Sequence, residues 1–143
     1  MPWGFQVTFD VADPARQARF WAVALGYELQ KPPPGFDSWV AFAERIGLPR
    51  ERWDAMAAVV DPEGTRPRLL FQRVPEGKVA KNRVHLDVHV SGEHGGTEAG
   101  WNLIQEHVRR LAEAGATVLH ENHDEAGRCM VLQDPEGNEF CVQ

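Results

Sequence analysis

The heptapeptide VHLDVHV (84–90) holds the densest chemistry in the chain, with His85, Asp87 and His89 recurring at every second position. On an extended strand this spacing puts them on one face, about 7 Å apart in succession. A carboxylate beside an imidazole fixes its tautomer and favours its charged form, as a general base or a substrate-holding group requires. His85 and Asp87 are therefore the candidate catalytic pair and His89 a candidate ligand contact. The alternative is a polar ladder in which Asp87 accepts from Thr8, a backbone amide or an arginine.

Other groups invite the same weighing. NEFCV places Glu139 and Cys141 on one strand face. Glu139 reads as a solvated strand-end carboxylate. Cys141 is a nucleophile if a base activates it and a small buried hydrophobe otherwise. His120 and His123, in HENH, fall at a strand end and turn, where their spacing does not converge, and read as surface histidines. Arg68, Arg73, Lys78, Lys81 and Arg83 gather near the middle of the chain, either as an anion-binding rim or as a solvated segment balancing Glu76. Trp21, Trp39, Trp53 and Trp101 lie on helical apolar stripes and are core residues first, with Trp39 and Trp53 the best suited to face a ligand.

The elements that must position these groups follow from hydrophobic period. GFQVTFDV (4–11) alternates as a half-buried strand. Asp13 and Pro14 then open a helix carrying Ala18, Trp21, Ala22 and Leu25 on one stripe, and Gly26 stops it. After a short strand at YEL, KPPPG breaks the chain, and 36–56 reads as a helical insertion. AAVV (57–60) and RLLFQRV (68–74) flank DPEG as a hairpin. Beyond a polar linker (76–83) the order restarts: strand 84–90, helix 97–115 on Trp101, Ile104, Val108, Leu111 and Ala112, strands ATVLHE and RCMVLQ, and a second DPEG turn into NEFCV. The recurrence of five elements in one order is an internal repeat. It gives an α+β chain of two modules, 1–75 and 84–143.

Bulk properties narrow the function. One domain of 143 residues, 43% hydrophobic, fits a soluble globular protein, and a net charge of -6 argues against nucleic acid or an anionic membrane as partner. No apolar run approaches the roughly 20 residues of a membrane span, so the expected location is cytoplasmic. Cys129 and Cys141 read as reduced thiols.

VADPARQARFWAVALGYEL, LLFQRVPEGK, KNRVHLDVHV and DPEGNEFCV together resemble the vicinal oxygen chelate superfamily, the group of glyoxalases, bleomycin-resistance proteins and extradiol dioxygenases. The resemblance implies two β-α-β-β-β modules forming a curled mixed sheet, a ligand or metal held in its cup, and a homodimer. In metal-using members one side chain on the first and one on the last strand of each module bind the ion; the matching positions are Gln6, Gln72, His85 and Cys141. Gln72 and Cys141 stand where those members place carboxylates and so remove both, and no resident cofactor is expected. The cup then binds a small organic molecule through Gln6, Thr8, Gln72, His89, Cys141 and Trp39, with His85 as base for Cys141 or for the substrate. Two alternatives stand beside this: a divalent-metal lyase, isomerase or dioxygenase using His85, and a drug-sequestering binder.

Overall fold

A computed structural model describes all residues, Met1–Gln143. They form two compact units: Met1–Ala22 with Gly26–Gly77, and Val23–Leu25 with Lys78–Gln143. Each contains an open four-stranded mixed sheet. The expected α+β chain of two β-α-β-β-β modules is thus present as two four-stranded mixed sheets, neither closed on itself.

In the first unit the strands are Val7–Val11 (β1), Glu28–Leu29 (β2), Met56–Val60 (β3) and Leu69–Arg73 (β4), ordered β1-β4-β3-β2. β1 runs parallel to β4, and the other pairs are antiparallel. Helix α1 (Pro14–Leu25) links β1 to β2. Asp13 caps it by accepting from Arg16 N at 3.1 Å, and Gly26, at φ 67°, takes the left-handed conformation that ends it. Trp21 and Phe71 both meet Phe9, with ring centroids 5.4 and 5.2 Å away, so helix and sheet close over aromatic residues. The insertion contains helix α2 (Trp39–Arg45), capped by Ser38, and a 3-10 turn at Arg50–Arg52.

The second unit repeats the order with Asp87–Val88 (β5), α3 (Glu98–Glu113), Thr117–Asp124 (β6), Gly127–Gln133 (β7) and Glu139–Val142 (β8). Its sheet runs β5-β8-β7-β6, with β5 parallel to β8. Ile104, Val108 and Leu111 of α3, with Leu132, Phe140 and Val142 of the sheet, are buried. Ala112, expected on the buried stripe, is exposed, and Gly100 takes a place on it instead.

The doubled tetrapeptide forms one device twice. Asp61 accepts through its carboxylate from the backbone of Glu63, Thr65 and Arg66. Asp134 accepts likewise from Glu136 and Asn138. Gly64 at φ 70° and Gly137 at φ 85° return a backbone bond to the same aspartate. Glycine relieves the crowding that a Cβ creates there, and the aspartate replaces the backbone acceptors missing from the turn.

Several expectations need correction. β1 begins at Val7, and Phe5, expected on the dry face, is 73% exposed because no strand covers it. Only Asp87 and Val88 of segment 84–90 are strand, an edge held to β8 alone. Bonds from Cys141 N to Leu86 O, Gln143 N to Val88 O and Val90 N to Gln143 O nevertheless continue the ladder on both sides. HENH lies within β6 and not at a turn, because β6 pairs with β7 as far as Asp124. Glu139 is not solvated: Lys78 Nζ lies 3.2 Å from it, and Asn82 N donates to it at 3.2 Å. The five basic residues do not form one cluster, since Arg73 pairs with Asp54, Arg68 with glutamines and Lys78 with Glu139.

Candidate functional site

The second sheet presents a polar face to a cavity of about 1010 Å³. Register explains its lining. Asp87 stands opposite Cys141, Cys141 opposite Val131, and the alternation along each strand puts His85, Asp87 and His89 on the same side as Cys129, Cys141 and Gln143. His85 Nδ1 lies 3.3 Å from Asp87 Oδ1, and His89 Nδ1 lies 3.2 Å from Gln143 Nε2. His85 and Asp87 have side chains 44% and 42% exposed, so the pair is open to a ligand and is not a buried ladder.

The electrostatics beside this pair restrain Cys141. Its thiol is pushed up to about 12 by burial first, then by Cys129 and Asp87, with which it also shares hydrogen bonds. Anionic sulfur is disfavoured next to a carboxylate, so the neighbour that orients His85 also opposes thiolate formation at Cys141.

The far wall is helix α3 and the β6–β7 hairpin. Arg128 lies over the Trp101 ring with its guanidinium carbon 3.7 Å from the centroid, and its Nε pairs with Glu121. Trp101, expected in the core, therefore forms part of the cavity wall. Gly100 is required at the foot of that wall, since a Cβ there would stand 2.1 Å from the His94 carbonyl oxygen. Three carboxylates, Asp87, Glu98 and Asp124, share the lining with one guanidinium, that of Arg128. Cys129, Trp101, Arg128 and Gln143 were not singled out as site residues by sequence reasoning; only strand register, which brings residues of different elements together, reveals them.

Gln6, Thr8 and Gln72 lie in the first unit, on the polar face of its own sheet. Gln6 Oε1 accepts from Arg68 Nη1 at 3.0 Å, and Gln6 Nε2 donates to Thr8 Oγ1 at 3.4 Å. Gln72 Nε2 donates to Asp10 Oδ1 at 2.7 Å. Trp39, 43% exposed in the insertion, donates through its indole to Gln30 O at 3.0 Å.

These contacts bear on the divalent ion that the superfamily implies. The glutamine oxygen available at position 6 faces a guanidinium, and neither glutamine supplies negative charge. A hard ion brought into a partly dry site needs oxygen ligands with compensating charge. The residues at Gln6, Gln72, His85 and Cys141 do not fit such an ion. A different trio does converge: His85, Asp87 and Cys141 offer ligand atoms within 4.8 Å of one another.

Two β-α-β-β-β modules of this topology, one with a polar cavity on its sheet, are the arrangement that the resemblance to the vicinal oxygen chelate class implied. The chain belongs to the glyoxalase-like domain family, which matches residues 6–143. Among solved structures, the fold is similar to fosfomycin resistance protein FosX from Listeria monocytogenes, in complex with Mn(II) and 1S,2S-dihydroxypropylphosphonic acid. The TM-score is 0.63 at 12% identity, covering 100% of this chain and 90% of that one. It is similar also to the bleomycin-binding protein of Streptomyces verticillus complexed with copper(II)-bleomycin, with TM-score 0.55, 17% identity and coverage of 100% and 96%. A superfamily member from Sphaerobacter thermophilus gives TM-score 0.59 at 18% identity, covering 99% and 96%. No curated protein matches the sequence.

Proposed function

We propose that the protein binds a small neutral or cationic organic molecule in the cavity of its second module, without the hard catalytic ion of its metal-using relatives. The carrying observation is the lining itself: a sheet face bearing His85, Asp87, His89 and Gln143, together with Trp101 and three carboxylates against one guanidinium, which lies over the Trp101 ring. A cavity with a few convergent polar groups suits a small organic ligand, and the acidic excess favours a cation over an anion. The binding of a bleomycin complex by one structural neighbour supports a sequestering role, and the dihydroxypropylphosphonic acid held by another is the type of ligand this charge disfavours.

The His85–Asp87 pair supports a second reading, a lyase or isomerase acting on a carbonyl compound. With Nδ1 donating to Asp87, Nε2 is left as the acceptor that a general base requires. A cytoplasmic location and a homodimer belong to the same proposal, the dimer supported by the family resemblance and by the exposed apolar side chains of Trp3, Phe5, Val79 and Val84.

Isotope-labelled protein titrated with benzylamine and, separately, benzoate tests the reading. Benzylamine is expected to shift the amides of β5, β8 and the first turn of α3, and benzoate to shift them less. If neither probe moves those amides, or benzoate is preferred, the ligand class is wrong. Dihydroxyacetone in deuterated water separates binding from turnover, since exchange of its carbon-bound protons lost in His85→Ala favours the enzyme and no exchange favours the binder.

A further inference from the structure

β6 is the outer strand of the second sheet, with β7 on one side and no strand on the other. Every residue along it is exposed. A strand edge carries unpaired N–H and C=O groups and stays open to a further strand unless its side chains prevent one. From His120 to Asp124 the strand is regular, pairing residue by residue with Val131 back to Gly127 of β7. The register shift between Val118 and His120 closes this stretch at one end, and the turn before Gly127 closes it at the other. Alternation puts His120, Asn122 and Asp124 on one face and Glu121 and His123 on the other. Within the chain Arg128 donates to Glu121 Oε1, and Asn122 Nδ2 donates to Asp124 Oδ2 at 3.2 Å. A carboxylate has lone pairs for more than one donor, so both acids can accept again.

We propose that β6 pairs antiparallel with β6 of a second copy of this chain, in the register centred on Asn122. There His120 stands opposite the partner's Asp124, and Glu121 opposite the partner's His123. Two-fold symmetry repeats each pair, so both faces carry imidazole–carboxylate pairs on either side of Asn122, which meets the partner's Asn122. An imidazole N–H donates to a carboxylate whether or not the ring is charged, and such cross-strand pairs stabilise adjacent strands. Neighbouring registers lack this match. A slip of one residue turns the partner's sheet over and brings unlike faces together. A slip of two sets Glu121 against the partner's Glu121 or the partner's Glu125, and like charges directly opposite are destabilising. Charges and bulges ordinarily keep strand edges apart. Here their order selects one self-complementary register, which is what a two-fold contact requires. The ladder is short, so the association is weak and concentration-dependent. It gives the proposed homodimer a surface separate from Trp3 and Phe5, and rests on that reading in that both need two copies to associate.

Hydrogen exchange and sedimentation of the wild-type chain across protein concentration test the pairing. Alternate amides within His120–Asp124 should gain protection as the dimer forms, while the amides of Glu125 and Ala126 in the turn should not. His123→Glu sets glutamates face to face, and Glu121→Lys removes the acceptor opposite His123. Each variant alone should weaken self-association about tenfold. Mixed in equal amounts, the two should recover it, because the introduced glutamate then faces the introduced lysine and the remaining His123 faces the remaining Glu121. A monomer at every concentration removes the homodimer and the pairing together. A dimer whose β6 amides stay unprotected overturns the pairing alone, as do variants that associate like the wild type or a mixture that recovers nothing. Wild-type exchange keeps the test decisive even if a variant misfolds.

Discussion

Asp61 shows how much one side chain can organise. Its carboxylate accepts from three backbone amides, the Thr65 hydroxyl and the Arg66 guanidinium. These bonds hold its pKa down from 3.8 to about 2, the Glu63 amide contributing most. A depressed pKa means that ionised Asp61 favours the folded chain at every pH above 3.8, and that this contribution disappears as pH falls toward about 2. The Tm difference between wild type and Asp61→Asn should therefore be largest above pH 4 and shrink toward pH 2. A difference independent of pH would show that the charge plays no part. At this scale local chemistry was legible: DPEG announces its turns, and Asp13 its cap. The candidate site was only half legible. His85, Asp87 and His89 disclose themselves by alternation along one strand, but Cys129 meets Cys141 through the pairing of two strands. Arg128 covers Trp101 across a strand and a helix. Nothing in the spacing of those residues along the chain encodes either contact.

Among the elements, helix α3 carries the strictest requirement. Thr97 caps it by accepting from Gly100 N at 3.1 Å, and Gly100 lets the 3-10 turn at Gly92–His94 approach closer than any side chain allows. Gly100→Ala pushes a Cβ against a backbone carbonyl, which cannot rotate away, and should cost about 1–3 kcal/mol in denaturant unfolding. Unchanged stability would mean that the close approach does not exist in solution. Helix existence was legible from the 3.6-residue period and from Gly26 and Gly115. The length of β5 was not, because alternation reports which side of a strand is wet and says nothing about how many neighbours that strand has.

At the scale of the molecule, repetition of one element order was the most legible property, since each element's hydrophobic period is written within its own residues. Association between copies is different, because exposed apolar residues name no partner. The proposed homodimer should sediment at twice the chain mass, and Trp3→Ser with Phe5→Ser should shift it toward the monomer if that apolar segment takes part. A monomer at all concentrations removes the proposal.

The Asp-headed turns have a consequence in time as well as in space. Each joins neighbouring strands of a hairpin across a few residues, whereas β1 must find β4 across most of the first module, with Val7 opposite Leu69. Closing a short loop costs less chain entropy than closing a long one, and local contacts form sooner. The hairpins should therefore be present before either parallel edge joins, making β1 and β5 the last strands to dock and the first to leave. Because β5 carries Asp87 and adjoins His85 and His89, the candidate site would be the last part of its module to assemble, after the scaffold that supports it.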